Sequence, residues 1–563
     1  MAISRKWSGG SLAAIGAIGV VALAVAGGSA LSADLFGPRS QELRDGFTGV
    51  LQGGDHFQDF LGAAVVSGDF NGDGRTDIAA YDQESFNAMS ASGGVHVVYG
   101  GVDGLSGDDD QLWYEFDPAT LLLDRQASAG FGSTLAVGDW NGDNRDDLAI
   151  GVPFRDIAGT FNAGWVVVIY GSEFGLQTDI GTPARRFRLG TGGIGGAPIG
   201  VDDRMGWALA AGDFDGSGVD DLAIGIPGKM VNLFDDAGSV LVLYGSATGL
   251  SSTNHRFFDQ DSSDASGSML GVAGEADRFG SSFAAGDFDD DGEDDLAIGA
   301  PFDDVAGAAG TLHGQVHVVY GALVVGLQLT ANQLWTQNNI DTGESAEPSD
   351  FFGKVLASGD LSGDGIDDLV IGAPNEDFEG VVNVADAGEV TVLYGQPVSG
   401  ITTLLSESYF ESDFSAVGGA VQAFDLFGAA LAIGDFERSA FDTPDLAIGI
   451  PQDNPWNGFQ NQDDAGSVIV TRQHGIFLGG VTDRRWAQGY EGSAGLLVPQ
   501  QAYGAALAAG DFDGDGFGDL AVGAPDFGTG VSARQGAIYT LYGAMFSDGF
   551  ESADTSRWSA TAP

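Results

Sequence analysis

The tripeptide Gly-Asp-(Phe/Trp/Leu) recurs in register along this chain, with its aspartate at Asp69, Asp139, Asp213, Asp287, Asp360, Asp435 and Asp511. Consecutive copies stand 70, 74, 74, 73, 75 and 76 residues apart. A period held that closely means one structural unit used repeatedly. The period is longer than that of most solenoid repeats, so each unit is expected to be a small sheet rather than one hairpin.

Every unit has the same internal order. An apolar segment such as Phe131–Gly138 leads into an acidic loop. A short apolar run ending in proline follows, as in Asp147–Pro153 and Asp295–Pro301. After a polar loop comes a β-branched run ending in Tyr-Gly, as in Gly164–Gly171 and Gly388–Gly395, and then an aromatic run such as Gln333–Gln337. Short runs of Val, Ile, Leu and aromatics bounded by glycine or proline are strand signals, and no long segment has a helical period. Four strands, seven times, predict an all-β, seven-bladed β-propeller of four-stranded blades. The last unit ends at its third strand, Gly536–Gly543, while a run of the fourth kind precedes the first unit near Asp45–Gln52. That N-terminal strand is expected to complete the last blade and close the ring, hiding the edges an open array would leave.

Residues 1–33 have the form of a secretory signal peptide: Arg5 and Lys6, an apolar stretch from Leu12 to Ala26, and small residues up to Ala30 and Ala33. A linker is expected over 34–44, the propeller over 45–543 and a separate tail over 544–563. The expected location is therefore extracellular, cell-surface or periplasmic, with no transmembrane anchor once the signal is cleaved. The chain has no cysteine, which removes disulfides and thiolate sites together. Eighty acidic against 22 basic residues give a net charge of −58, which disfavours nucleic acid and anionic membrane surfaces as partners. Hydrophobic residues at 43% and aromatics at 10% exclude a purely solvated, disordered polymer.

Much of the ordered acidity has a specific pattern. In Asp287-Phe288-Asp289-Asp290-Asp291-Gly292-Glu293-Asp294-Asp295, side-chain oxygens stand at loop positions 1, 3, 5 and 9. Glycine stands at position 6, where the chain turns, and position 7 can offer a carbonyl. Alternate residues then converge on one centre, as a hard cation with six to eight oxygen ligands requires. The loop ligand sets are Asp69, Asn71, Asp73, Arg75, Asp77; Asp139, Asn141, Asp143, Arg145, Asp147; Asp213, Asp215, Ser217, Val219, Asp221; Asp287, Asp289, Asp291, Glu293, Asp295; Asp360, Ser362, Asp364, Ile366, Asp368; and Asp511, Asp513, Asp515, Phe517, Asp519. Arg75, Arg145, Val219, Glu293, Ile366 and Phe517 would act through backbone carbonyls. Position 6 is glycine except for Asn144, which also tolerates positive φ.

The sixth copy, Asp435, Glu437, Ser439 and Asp445, has two extra residues and no turn glycine, so weak or absent binding is expected there. An EF-hand is excluded, because position 12 is Ala80, Ile150, Ile224, Ile298, Ile371 or Val522 rather than glutamate, and strand-like runs replace helices. The expected cofactor is Ca2+ at about six sites. Calcium fits better than magnesium, which keeps waters and demands strict octahedral geometry. At affinities of ~0.1–1 mM and millimolar calcium, each site contributes ~0.4–1.4 kcal/mol. Six such sites approach the ~5–15 kcal/mol stability of a domain, so the ions can stand in for absent disulfides.

Phe131-Gly132, Phe279-Gly280, Phe352-Gly353 and Phe427-Gly428 at the heads of units, with Gly299-Ala300-Pro301, Gly372-Ala373-Pro374 and Gly523-Ala524-Pro525 after the loops, resemble FG-GAP repeats, which build the propeller of integrin alpha chains. Some copies drift, to Leu61-Gly62, Met205-Gly206 and Tyr503-Gly504. The resemblance implies structural calcium loops between strands one and two on the lower face. It also implies ligand contacts on the opposite face, through the loops joining strands two and three (154–163, 228–237, 302–313, 375–387, 452–465 and 526–535) and strand four to the next blade.

The expected function is an adhesion or ligand-binding module with a protein or glycan partner on that upper face. The alternatives are an extracellular or periplasmic hydrolase or lyase using the same face, and a purely structural surface protein. Aromatics in the upper loops are Phe154, Phe161, Phe234, Phe302, Phe378, Trp456, Phe459 and Phe527, which either meet a partner or pack between blades. Trp456 is the one most expected at the surface. The histidines are scattered, neither His-Glu-x-x-His nor Gly-x-Ser-x-Gly occurs, and no catalytic residue is assigned.

Overall fold

The structure, a computed structural model, describes residues 40–43, 60–83, 92–117, 122–123, 125–178, 182–190, 194–195, 198–304, 311–340, 345–379, 383–417, 421–436, 443–455, 464–474, 477–478, 483–487, 499–528 and 535–543. The expected signal peptide and C-terminal tail lie outside them.

Among the described residues, seven antiparallel sheets of four or five strands follow one another along the chain, beside three two-stranded ribbons. The fourth shows the plan: strands Ser282–Gly286, Asp295–Ala300, Gln315–Tyr320 and Gln328–Trp335 pair in sequence order, with Phe283 opposite Ile298 and Ile298 opposite His317. Its fourth strand begins before the aromatic run expected at 333–337, because a β-bulge between Val318 and Tyr320 shifts the register and lets Gln328 pair with Tyr320. The first strands, Val65–Gly68, Thr134–Gly138, Leu209–Gly212, Ser282–Gly286, Val355–Gly359, Ala430–Gly434 and Ala506–Gly510, each contact the next in turn, and the seventh contacts the first. The architecture is a seven-bladed propeller.

The hydrophobic core is distributed between blades rather than gathered in one place. One cluster joins Phe288, Val316 and Val318 of the fourth blade to Phe352, Leu369 and Ile371 of the fifth. Another joins Leu520, Val522 and Tyr539 of the seventh to Val468 and Trp486 of the sixth. A middle strand such as Asp295–Ala300 is therefore buried on both sides and reads as an unbroken apolar run rather than an alternating one.

Close approach between blades explains the glycines at their heads. Gly353 sits at φ +82°, and a Cβ there would lie 2.5 Å from Val316 Cγ2. The last blade takes its fourth strand from the N-terminal side. Ser40–Leu43, within the segment expected to be a linker, pairs antiparallel with Ile538–Leu541. The run near 45–52 lies outside the described residues. Gln41 ties the seam to the first blade, accepting from Tyr542 Oη at 2.8 Å and donating to the Leu105 carbonyl at 2.8 Å.

Candidate metal centres

Among the described residues, the loops between strands one and two fall at one end of the blades, and antiparallel order puts the loops joining strands two and three at the other. In the intact loops the position-1 carboxylate organises the turn. Asp69 accepts from the amides of Gly72, Asp73 and Gly74 at 2.7, 3.1 and 2.8 Å. Asp139 and Asp360 do the same at 2.7–3.1 Å. Asp213, Asp287 and Asp511 each accept two such amides. Position 6 lies at positive φ throughout, with Asn144 at +61° as its residue type allows. Position 4 is left-handed as well, Asp290 at +58° included, a second bend the sequence pattern did not announce.

Three loops draw carboxylate oxygens within 4.8 Å of one another: Asp213, Asp215 and Asp221; Asp287, Asp289 and Asp291; Asp511, Asp513 and Asp519. The buried Oδ1 of Asp289 has no hydrogen-bond partner. Asn71, Asn141 or Ser362 replaces a carboxylate at position 3 of the other three loops. There Asn141 Nδ2 donates to Asp147 at 3.3 Å and Ser362 Oγ to Asp360 at 3.4 Å. At position 7 the amides of Arg75, Arg145, Glu293, Ile366 and Phe517 donate to the position-5 carboxylates at 3.0–3.1 Å. Ser217 Oγ instead donates to the Val219 carbonyl at 3.3 Å. The donor set is all oxygen, clustered and strongly anionic, so it fits a hard divalent cation. In the sixth loop, Glu437 and Ser439 lie outside the described residues.

The position-9 aspartates are buried. Asp295 accepts from Phe288 N at 2.9 Å and Gly321 N at 2.8 Å, linking the loop to the Tyr-Gly end of the third strand. Burial, reinforced by the neighbouring loop carboxylates, pushes Asp77 up to about 8, Asp147 and Asp295 to about 9, and Asp368 and Asp519 to about 7. A positive charge in the loop would reverse that penalty.

Sequence reasoning missed position 8. Asp146 Oδ2 accepts from Asp69 N of the preceding blade at 2.7 Å, and Asp220 and Asp294 treat Asp139 and Asp213 alike at 2.8 Å. The signal was available: an Asp-Asp doublet precedes leucine in Asp146-Asp147, Asp220-Asp221, Asp294-Asp295 and Asp367-Asp368.

At the opposite end, Phe161 is 63% exposed and Phe234 38%. The other described aromatics of these loops pack within the protein. Phe302 lies 5.0 Å from Phe351, Phe378 lies 5.2 Å from Phe410, and Phe154 meets Trp207 edge-on at 5.9 Å. Phe527 is buried against Tyr539. Trp456 and Phe459 lie outside the described residues. Ion pairs on buried carboxylates join segments near this end: half-buried Arg155 with Glu115 at 2.9 Å, Lys229 with Asp203 at 3.0 Å, and Arg485 with Glu411 at 2.7 Å. His317 is fully buried, pushed down to about 3 by that burial, and stacks edge-on to Phe279, as expected of a core residue.

The model of the FG-GAP repeat matches residues 61–98, 131–169, 205–243, 279–319, 352–393 and 503–541. The blade it passes over is the sixth, where the loop is degraded. The chain is 36% identical to integrin alpha-PS5 of Drosophila melanogaster over 31% of its length and 16% of that protein. It is 30% identical to integrin alpha-5 of Xenopus laevis over 48% of its length and 23% of that protein. It is 34% identical to phosphatidylinositol-glycan-specific phospholipase D of Rattus norvegicus over 30% of its length and 18% of that protein. The matched segments thus span less than a quarter of these relatives. The crystal structure of rhamnogalacturonan lyase YesW covers 85% of this chain and 71% of its own at a TM-score of 0.38 and 13% identity, too distant a likeness to bear on function. With matched copies in register on six of its seven blades, this chain is an FG-GAP repeat protein.

Proposed function

We propose that the chain is an exported, calcium-stabilised propeller that serves as an adhesion or ligand-binding module. Calcium is structural in this reading, held by Asp69, Asn71, Asp73 and Asp77 and their counterparts in the five other intact loops, with carbonyls from Arg75, Arg145, Val219, Glu293, Ile366 and Phe517. The converging carboxylates of the third, fourth and seventh loops carry the calcium half. Expected results are about six calcium ions per chain by metal analysis and a melting temperature that falls on chelation. Fewer than about four ions, or an unchanged melting temperature, would sink it.

The binding half rests on one surface. Phe161, Met230, Leu233 and Phe234 project from the loops joining strands two and three of the second and third blades, 63, 55, 90 and 38% exposed. Val201, Trp207 and Val272 are exposed on the neighbouring loops that lead into the next blades. Hydrogen bonds from Asp202 N to Phe161 O and from Ala276 N to Asp235 O hold the two sets together. An apolar patch with polar surroundings suits a protein or glycan partner. A glycan and protein binding screen, with calcium and with chelator, is expected to yield a ligand whose binding is lost in F161A/L233A while the calcium-loaded melting temperature stays put. Retained binding in that variant would place the ligand elsewhere. A second reading, an enzyme of the extracellular space, is favoured only by the likeness to the phospholipase D.

A further inference from the structure

We propose that Asp146, Asp220, Asp294 and Asp367 are positioning residues for the cation loop of the preceding blade, so that each loop takes its binding shape only when the next blade is docked against it. This rests on reading the loops as calcium sites. Each of these carboxylates accepts the N–H of the preceding blade's first-position aspartate, at 2.7, 2.8, 2.8 and 3.2 Å. Each also returns its own N–H to that aspartate's carbonyl, at 3.1, 3.2, 3.1 and 3.1 Å. The reciprocal pair grips the peptide groups on both sides of one Cα. It therefore sets where the side chain that nucleates the loop begins.

The next blade holds the rest of the loop too. Its residue after Tyr-Gly donates to the second-position carbonyl, as Ser246 does to Trp140 and Ala322 to Phe214. Val324 and Val398 donate to the third-position carbonyls of Asp215 and Asp289, both at 2.7 Å. Both valines adopt left-handed backbone, φ 70° and 68°, which β-branched residues rarely do. They are 82% and 89% exposed, so their own packing does not account for that conformation.

The clasp needs an acceptor, not a charge. In the first blade Thr76 takes the place: Oγ1 accepts from Asp511 N at 3.1 Å and its N–H reaches Asp511 O at 2.9 Å. The sixth blade has Pro444, which offers neither N–H nor side-chain acceptor, so the fifth loop goes unclasped. The seventh has Gly518, which keeps only the backbone half, to Asp435 O at 2.7 Å. The fully clasped loops are therefore the seventh and the first four, and the run breaks on both sides of the sixth blade. The fifth loop, intact in sequence, is the weakest of the six.

Trp140 occupies position 2 of the second loop and provides a local reporter. Terbium(III) titrated into the full chain, with tryptophan excited, gives a luminescence component that W140F identifies as arising at that loop. We expect D220A and D220V, the latter isosteric with D220T, to raise the midpoint of that component about tenfold or more. D220N and D220T, which keep an acceptor, restore it, and D367A, acting on the fourth loop, leaves it in place. If D220A does not fold, the D220T and D220V pair decides alone. A Trp140-dependent midpoint that is the same in D220T and D220V, or that shifts equally in D367A, overturns the clasp while leaving the calcium reading intact. No Trp140-dependent signal in the unaltered chain overturns the loops as cation sites and the clasp with them.

Discussion

The buried aspartate at loop position 9 serves the fold before it serves any ion. Asp445 accepts from Phe436 N at 3.0 Å, as Asp295 does from Phe288 N at 2.9 Å, although the sixth loop is two residues longer and lacks its turn glycine. Replacing Asp445 with alanine is expected to cost about 1–3 kcal/mol, by orphaning a buried amide, equally with calcium and with chelator. Replacing Asp295 is expected to cost more in calcium than in chelator, because a ligand is lost as well. Paired denaturation curves distinguish the two. Asp425 makes the other residue-scale prediction. Burial, then the adjacent Glu411 and Asp453, pushes it up to about 9. Between the ordinary carboxylate range near 4 and about 9, only the folded chain holds this proton, so its contribution is full below the lower value and fades as pH rises through the window. D425N removes the titration. Its melting temperature relative to the unaltered chain is expected to rise by a few degrees between pH 5 and pH 8, and a constant difference would contradict this. The ligand positions were legible because alternate oxygens have a spacing. The position-8 clasp was not, because its partner stands 77–81 residues away and a doublet of aspartates reads as one ligand with a spare.

At the scale of the element, strands two and three were readable as apolar runs because both their faces are covered. Fourth strands were less so. Their bounds follow bulges, as between Val318 and Tyr320, that depend on how the edge meets the neighbouring blade. The turn before each third strand depends on such a meeting as well. Gly314 sits at φ +91°, and a Cβ there would overlap the Phe352 carbonyl of the next blade. Gly314→Ala is expected to destabilise by at least about 1 kcal/mol in a denaturant titration, since neither the backbone conformation nor the clash can relax locally.

At the scale of the whole molecule, stability lies in seven inter-blade cores arranged in a ring, so the seam counts as much as any blade. Leu43 packs in the cluster that joins the seventh blade to the first, with Leu61, Phe512, Ile538 and Tyr542. A chain lacking residues 1–43 leaves Ile538–Leu541 as an open edge. Its melting temperature is expected to fall, and limited proteolysis to cut first within the seventh blade. Cutting elsewhere would mean that the closing strand adds little. The net charge of −58 also acts at this scale, since twenty of the 80 acidic residues stand at the side-chain ligand positions of the six intact loops and crowd one face unless cations neutralise them.

The repeat period, the strand runs and the oxygen spacing are local properties of a linear chain, so the propeller class, its seven blades and the six loops with a full ligand pattern follow from the sequence alone. Three things do not: where the closing strand begins, which upper-loop aromatics face solvent, and that each loop is finished by residues of the next blade. These depend on which surfaces meet once the ring has closed. A contact between residues 77 or 81 positions apart leaves no more than a spare aspartate in each repeat, because the hydrogen bond that joins them is made only when two separately folded sheets dock.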